Sequence, residues 1–294
     1  MKTGCGSMLS EWRAARRLSQ LDLALLTGIS QRHISFVESG RSQPSRDMIF
    51  KLADGLDLPL RARNDIFLAA GYAPIYPERR LDLAEMKTAR DALELILNHH
   101  EPYPAIVTDA RWNIVMQNSA ASRIVAGCVE AGALRALSPD GPLNFMQLMF
   151  SPRGLRPRIL NWEHTRAALL NRLRHDSAGN PNSASQKLRR QLDEEVRSPG
   201  SVLASQDEPG DPLLPLELAV GGAKLRLFNT FTTFGTPQDV MLQELRIDMS
   251  FPADEATRRF LTTAAQAGLP SCTSFGLAST ARYEPLEGFW PSQK

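Results

Sequence analysis

The sequence predicts two domains, an all-α N-terminal domain followed by an α+β C-terminal domain, and three observations carry that expectation. The chain has 294 residues, which at roughly 150 residues per domain makes about two cores. Residues 8–70 read as short helices separated by tight turns. From Ala105 onward, strand-like alternation comes in two groups with helical patterns between them, and that is the α+β pattern.

Composition narrows the class. Hydrophobic residues make up 43% and charged residues 22%, ordinary globular usage that argues against wholesale disorder. The net charge is only +2, so the chain is not coated for nucleic acid along its whole length. It is unevenly spread, however. Residues 1–46 hold seven Lys/Arg against three acids, a net of +4, and the remainder holds −2. A basic N-terminal module suggests an anionic partner for that part alone. No stretch approaches the ~18–20 apolar residues of a membrane span, and the N-terminus lacks the apolar core of a signal peptide. Cys5, Cys128 and Cys272 are isolated and odd in number, which fits a reduced, cytoplasmic chain.

The elements follow in order. The stretch Tyr72–Pro77 breaks helical pattern and ends the first domain. Leu83, Met86, Ala89, Leu93 and Ile96/Leu97 then give helical spacing over about Leu81–Asn98. Ala105–Thr108 and Trp112–Gln117 read as strand, turn, strand. Helices are expected around Ser119–Val125, Asn144–Phe150, Glu163–Arg174 and about 186–196, with loops at 175–187 and 198–215. Strands are expected at Leu216–Val220, about Lys224–Phe234 and Val240–Met249, the first two joined through Gly221-Gly222. The expected organisation is a first domain over 8–73, a connecting helix over 74–103, a second domain over 104–265 and a tail over 266–294.

The informative motif runs from Ser19 to Glu38. Ser19 and Ser30 are placed to cap successive helices. Ala24 is small where crossing helices approach, Gly28 allows the positive φ of a tight turn, and Ile29, Ile34 and Val37 point inward. That spacing is a helix-turn-helix. Residues 8–70 resemble the Cro/repressor-like, xenobiotic-response-element type of helix-turn-helix, through Ser19-Gln20, Ala24, Gly28-Ile29-Ser30, Ile34-Ser35 and Glu38-Ser39-Gly40-Arg41 followed by Pro44-Ser45. The resemblance implies that the helix at Ser30–Ser39 enters the major groove. Gln31, Arg32 and Phe36 would face base edges, where Gln suits adenine, Arg guanine and Phe a thymine methyl. His33 and Ser35 are candidates for phosphate contact, and Gln20, Ser39 and Arg41 for holding the DNA backbone. Arg13, Arg16 and Arg17 read mainly as a solvated face, and Glu38 as a brace for a nearby Arg or helix end.

Chemistry is not evident in the second domain. It has no G-x-S-x-G, P-loop, full G-x-G-x-x-G or H-E-x-x-H, and His99-His100-Glu101 offers no shared face for a metal. No catalytic residue, metal site or required cofactor is expected. Residues 72–265 resemble the ligand-binding domain of MmyB-like transcription regulators, through Tyr103-Pro104-Ala105, Asp109–Ile114, Asn118–Ala121, Asn161-Trp162, Thr233–Val240, Glu244–Arg246 and Phe251–Thr257. The resemblance implies a PAS-like α+β domain holding a small hydrophobic effector, with fatty-acid-like molecules the leading candidates. The residues compatible with such a pocket are Leu225, Leu227 and Phe231 on one strand face, and Leu245, Ile247 and Met249 on another. Met116, Phe145, Leu148, Met149, Phe150 and Trp162 would come from the facing helices and rim. Arg166 or Arg226 would meet a carboxylate. Any of these apolar residues also suits a core without ligand.

The expected protein is therefore a homodimeric, cytoplasmic transcription regulator that binds double-stranded DNA and a hydrophobic effector, with no membrane association. A C-terminal domain that only dimerises or binds protein is an alternative, and one that turns over a small molecule is another.

Overall fold

A computed structural model describes residues 4–139, 141–177, 188, 190, 192 and 215–266. Of the tail expected over 266–294, Gln266 ends a helix and the rest lies outside the described residues, as do Cys272 and most of the loops and helix expected between 178 and 214.

Five helices build the first region: α1 (Cys5–Ala15), α2 (Gln20–Thr27), α3 (Gln31–Glu38), α4 (Arg46–Gly55) and α5 (Leu60–Ala69). The serines expected as caps do cap. Ser19 accepts from the Asp22 amide and Asp22 returns the bond to the Ser19 amide, a reciprocal arrangement that satisfies two free donors. Ser30 caps α3 through the His33 amide, and Ser45 caps α4 through the Met48 amide. Gly28 ends α2 with φ +70°, a conformation that costs a residue with a Cβ. Leu9, Trp12, Leu23, Ile34, Val37, Ile49, Leu52, Ile66 and Phe67 form one buried cluster. Helix α1 starts at Cys5, ahead of the expected residue 8, because Cys5, Leu9 and Trp12 continue one buried stripe.

The chain then passes through a short 3-10 turn (Ala84–Met86) into α6 (Lys87–His99). Among the described residues, the second region holds a five-stranded sheet made of β1 (Ala105–Thr108), β2 (Ile114–Gln117), β3 (Leu216–Val220), β4 (Ala223–Thr232) and β5 (Arg246–Pro252). Every pairing is antiparallel and the order is β2-β1-β5-β4-β3. Between β2 and β3 come α7 (Ser119–Cys128), α8 (Ala131–Leu137), α9 (Phe145–Phe150) and α10 (Trp162–Ser177). Helix α11 (Val240–Glu244) precedes β5, and α12 (Glu255–Gln266) follows it. This is the expected α+β, PAS-like domain behind an all-α helix-turn-helix domain. The β3–β4 hairpin turns on Gly221 and Gly222, both at positive φ, as a two-residue turn of matching twist requires.

Three expectations need correction. Residues 240–244, read as the start of a strand, form α11, because the Asp239 carboxylate accepts from the Met241 amide and starts a turn. Strand β2 begins at Ile114 rather than Trp112, because Trp112 sits at φ +66° in a turn held by Asp109. The helix expected from Leu81 begins at Lys87 after the 3-10 turn.

The sheet is covered on both faces. On one, α6 lays Leu93 and Leu97 over Ala105, Val107, Met116 and Ile247. On the other, α7 and α9 pack over Ile114, Leu218, Leu225 and Leu227. Buried Asn118 ties these layers together. Its carbonyl accepts from the Ala105 and Ala121 amides and its amide donates to Leu97 and Tyr103 carbonyls. Of the His99-His100-Glu101 run, His100 Nε2 lies 2.8 Å from the Ser250 carbonyl and Glu101 accepts from the Ala120 amide and Arg123. Both therefore serve structure.

Helix α5 meets α11 through polar contacts. Arg61 grips Glu244 with Nε and Nη2 at 2.6 and 2.8 Å and also binds Glu78. The Leu60 amide donates to Gln243 Oε1 at 2.6 Å, and the Val240 amide donates to the Pro77 carbonyl.

Close packing of α1 on α3 gives a test. A Cβ at Gly6 would overlap the Val37 and Glu38 carbonyl oxygens, which are backbone and cannot rotate away. Gly6→Ala is expected to cost about 1–3 kcal/mol through overpacking, read as an earlier urea midpoint. Gly132→Ala, on α8 with open space around it, should cost nothing measurable.

Candidate functional site

The helix-turn-helix face is set by a buried charge network. Arg13 of α1 forks onto Glu38 at 2.7 and 2.9 Å and donates to the Leu18 carbonyl, while Gln20 of α2 donates to the same Glu38 at 2.8 Å. Burial alone would raise the Glu38 pKa, but hydrogen bonds from Arg13 and Gln20 outweigh it and hold it below the ordinary value. Glu38 is thus a brace, as its sequence context suggests. Arg13 is an internal ion pair rather than a solvated charge. Arg16 donates to the Leu56 and Asp57 carbonyls. Gln20, proposed from resemblance as a backbone anchor, has its amide engaged by Glu38.

With the ends of α3 fixed, Ile34 and Val37 face the core and Gln31, Arg32 and His33 are exposed. Ser35 and Phe36 are half-buried, and Ser39 and Arg41 follow the helix on the surface side. Arg32 and Arg41 both lie over the Phe36 ring, at 5.4 and 6.0 Å from its centroid. The half-buried ring thus steadies two cations on the surface that the network holds outward.

The second site is a cavity of about 70 Å³ on the α7/α9 side of the sheet, several times the ~10–15 Å³ that one water needs. Helix α7 contributes Ala121, Ile124 and Val125, and α9 contributes Phe145, Leu148 and Met149, with Leu155 beyond it. The sheet supplies Ile106, Ile114, Leu216, Leu218 and Leu227. Four polar side chains join them: Gln117, Asn229, Asp248 and Ser250. Asn229 donates from Nδ2 to Asp248 Oδ1 at 2.9 Å and accepts from the Ser250 hydroxyl, while Gln117 donates to Ser122.

Of the residues expected from sequence, Phe145, Leu148, Met149 and Leu227 line this cavity, and the others do not. Met116, Leu245 and Ile247 lie on the opposite side, in the α6 cluster with Met249 packed beside them. Strand parity is the reason: Met116 pairs with Val107 and Val107 with Ile247, so all three share the α6 face. Leu225 and Phe150 are core residues beyond the cavity lining, and Trp162 packs edge-on against Phe150 under Arg156. Phe231 shares the cavity face but is 40% exposed, at the strand end beneath Arg172. Arg166 pairs with Glu163, and Arg226 with Glu217 and Asp254. Neither arginine reaches the cavity.

The signal for Asp248 and its neighbours lies in the alternation of Arg246-Ile247-Asp248-Met249-Ser250, whose apolar positions read from sequence alone as the inner face. A sheet covered on both sides has two inner faces, and the alternate polar set lines the second one.

Asp248 is 5% exposed. Burial pushes its pKa up to about 7, against the lowering effects of the Asn229 hydrogen bond and the Arg172 charge. A folded pKa above the ordinary 3.8 means the native state holds the proton longer than the unfolded chain. The associated stability is full below about 3.8 and is lost as pH rises through about 7. Asp248→Asn removes that loss. Its stability relative to wild type, from urea unfolding, should grow by about 2–4 kcal/mol between pH 4.5 and pH 8; a constant difference would contradict the burial argument.

Both regions have counterparts among known proteins. Residues 89–264, more than half the chain, match the family model described as MmyB-like transcription regulator ligand binding domain. Residues 9–62 match a helix-turn-helix model. The uncharacterized HTH-type transcriptional regulator RghRB of Bacillus subtilis (strain 168) is 33% identical over 115 residues, 39% of this chain and 74% of that protein. The restriction-modification controller protein C.AhdI of Aeromonas hydrophila is 39% identical over 20% of this chain and 89% of its own, with a TM-score of 0.20. The chain belongs to the family of MmyB-like transcription regulators, with a helix-turn-helix DNA-binding domain ahead of the ligand-binding domain that defines the family.

Proposed function

We propose that this regulator acts as a homodimer that reads a two-fold DNA site with α3 and changes its DNA affinity when an aliphatic effector enters the sheet cavity. The observation that carries the reading is one chain holding both an outward-facing Gln31-Arg32-His33 surface on a braced helix and an apolar cavity with a few convergent polar groups. Such a cavity is the default small-molecule site.

For DNA, Gln31, Arg32 and Phe36 are the base-reading set, and His33, Ser35, Ser39 and Arg41 the phosphate set. Gln20 acts through Glu38 on helix placement. Two copies are proposed because one such helix reads only a few base pairs and two-fold pairing doubles the site. For the effector, the aliphatic part of the fatty-acid expectation is supported by the Leu, Ile, Phe and Met lining, and Met suits a flexible chain. Cytoplasmic action follows from DNA as the partner, and no described helix is long and apolar enough to cross a membrane.

Coupling between the sites has a physical route. Asp248 in the cavity is four residues from Glu244, which Arg61 of α5 holds. A ligand that shifts β5 by a fraction of an ångström acts directly on α11 and its grip on the helical domain. Coupling arises if the two positions of that joint bind the ligand unequally.

The DNA assignment is tested with a duplex selected from a random pool by the full chain. Arg32→Ala is expected to weaken binding by about 10- to 100-fold and relax preference at one base pair of each half-site. Arg41→Ala should weaken all sequences alike and lower the salt dependence by about one counterion per protomer. Unchanged affinity in Arg32→Ala would remove α3 as the reading helix. Native mass spectrometry of the same protein should give the dimer mass, and a monomer at micromolar concentration would remove the two-fold reading.

A further inference from the structure

The chemistry of the cavity's polar end goes further than its apolar walls. Among the described residues, the lining contains no basic side chain and Asp248 is its only titratable group. Among the described residues, Asp248 has one hydrogen-bond partner, Asn229 on Oδ1; Oδ2 has none. Asn229 gives one amide N–H to Asp248 and its carbonyl accepts from Ser250, which leaves one N–H of Asn229 over. At Asp248 itself the cluster presents an unpaired, negatively charging acceptor. Among the described residues, the charged side chain that acts on Asp248 is Arg172 of α10. It stacks over Phe231 at 3.8 Å and pairs with Asp176, and it does not line the cavity. The two arginines expected from sequence to meet a carboxylate, Arg166 and Arg226, are held by Glu163 and Glu217 elsewhere.

We infer that the cavity selects an aliphatic molecule whose polar end donates hydrogen bonds, an amine above all and then an alcohol, and that Asp248 Oδ2 is the acceptor which selects against a free carboxylate. This rests on the effector-cavity reading and specifies its ligand class. A carboxylate brought to this end would place two carboxyl groups face to face with no cation among the described lining residues to separate them, the arrangement that drives one carboxyl to take up a proton. An ammonium group instead meets an acid that gains an opposite charge and a second hydrogen bond, so binding should draw Asp248 toward its ionised form. The sign of the pH dependence follows. Amine binding strengthens as pH rises through the Asp248 titration, and carboxylate binding weakens over the same range.

Three probes with one chain, octylamine, 1-octanol and octanoate, separate the possibilities by isothermal titration of the full-length protein. At pH 8, octylamine is expected to bind at least tenfold tighter than octanoate, with 1-octanol between them. In Asp248→Asn the spread should fall to about threefold, with 1-octanol affinity changed least. Lowering the pH to 5.5 should weaken octylamine and narrow the spread in the wild-type protein alone. Octanoate binding as tightly as octylamine at pH 8 overturns the inference while leaving the cavity a ligand site. So does an amine preference that persists in Asp248→Asn. Failure of all three probes to bind overturns the effector-cavity reading itself, and the inference with it.

Discussion

Strand β5 is third of five in the sheet, hydrogen-bonded to β1 on one side and β4 on the other. A strand in that position has no edge, and its two-residue period sends alternate side chains to opposite faces. Ile247 and Met249 go toward Leu93 and Leu97 of α6, while Asp248 and Ser250 go toward the cavity. A one-residue slip would exchange the two sets, placing a carboxylate against α6 and closing the cavity with isoleucine and methionine. The same strand is preceded directly by α11, whose Gln243 and Glu244 hold α5. Register in β5 thus fixes the hydrophobic seal behind the sheet, the polar end of the cavity, and the handle by which the DNA-reading region is held.

The helix-turn-helix has its own central constraint. Glu38 closes α3 while accepting from Arg13 of α1 and Gln20 of α2, so three helices meet at one carboxylate. With its charge matched and both oxygens hydrogen-bonded, Glu38 can be buried without the penalty of an unpaired ion. With the junction carried by Glu38, Arg13 and Gln20, the side chains of Gln31, Arg32 and His33 remain exposed. It also explains why Gln20 cannot be judged by exposure alone: its side chain helps to hold α3 through Glu38.

Much of the first region was legible because its determinants are local. Ser19, Gly28 and Ser30 cap or turn the chain within a dozen residues, and each behaves as its type predicts. The five strands and their hairpin through Gly221-Gly222 could also be read, since alternation and turn residues are short-range signals. What could not be read was which strand face each helix covers. Met116, Leu245 and Ile247 have the composition of a pocket wall, but α6 comes to lie over them from the far side of the sheet. Asp248 and Asn229 were missed for the converse reason, since polar residues alternating with apolar ones read as a solvent face until both faces are known to be covered. The run Val240-Met241-Leu242 has no period to separate helix from strand, and the Asp239 cap decided it.

The joint between the regions is polar and partly exposed. Arg61 is 41% exposed and its partner Glu244 21%. Exposed ion pairs contribute little to stability, so the joint is suited to orienting two domains rather than to welding them together. The coupling proposed above requires this joint to have two positions that bind the effector unequally. The most direct measurement is the dissociation constant of the full chain for its selected duplex, by fluorescence anisotropy. It should be taken with the cavity free and with it saturated by whichever octyl probe binds tightest. The coupling described here requires a shift of at least about fivefold that Arg61→Ala abolishes without loss of probe binding. Equal constants with the probe demonstrably bound would contradict it, leaving a DNA reader and a ligand cavity that share a chain but do not communicate.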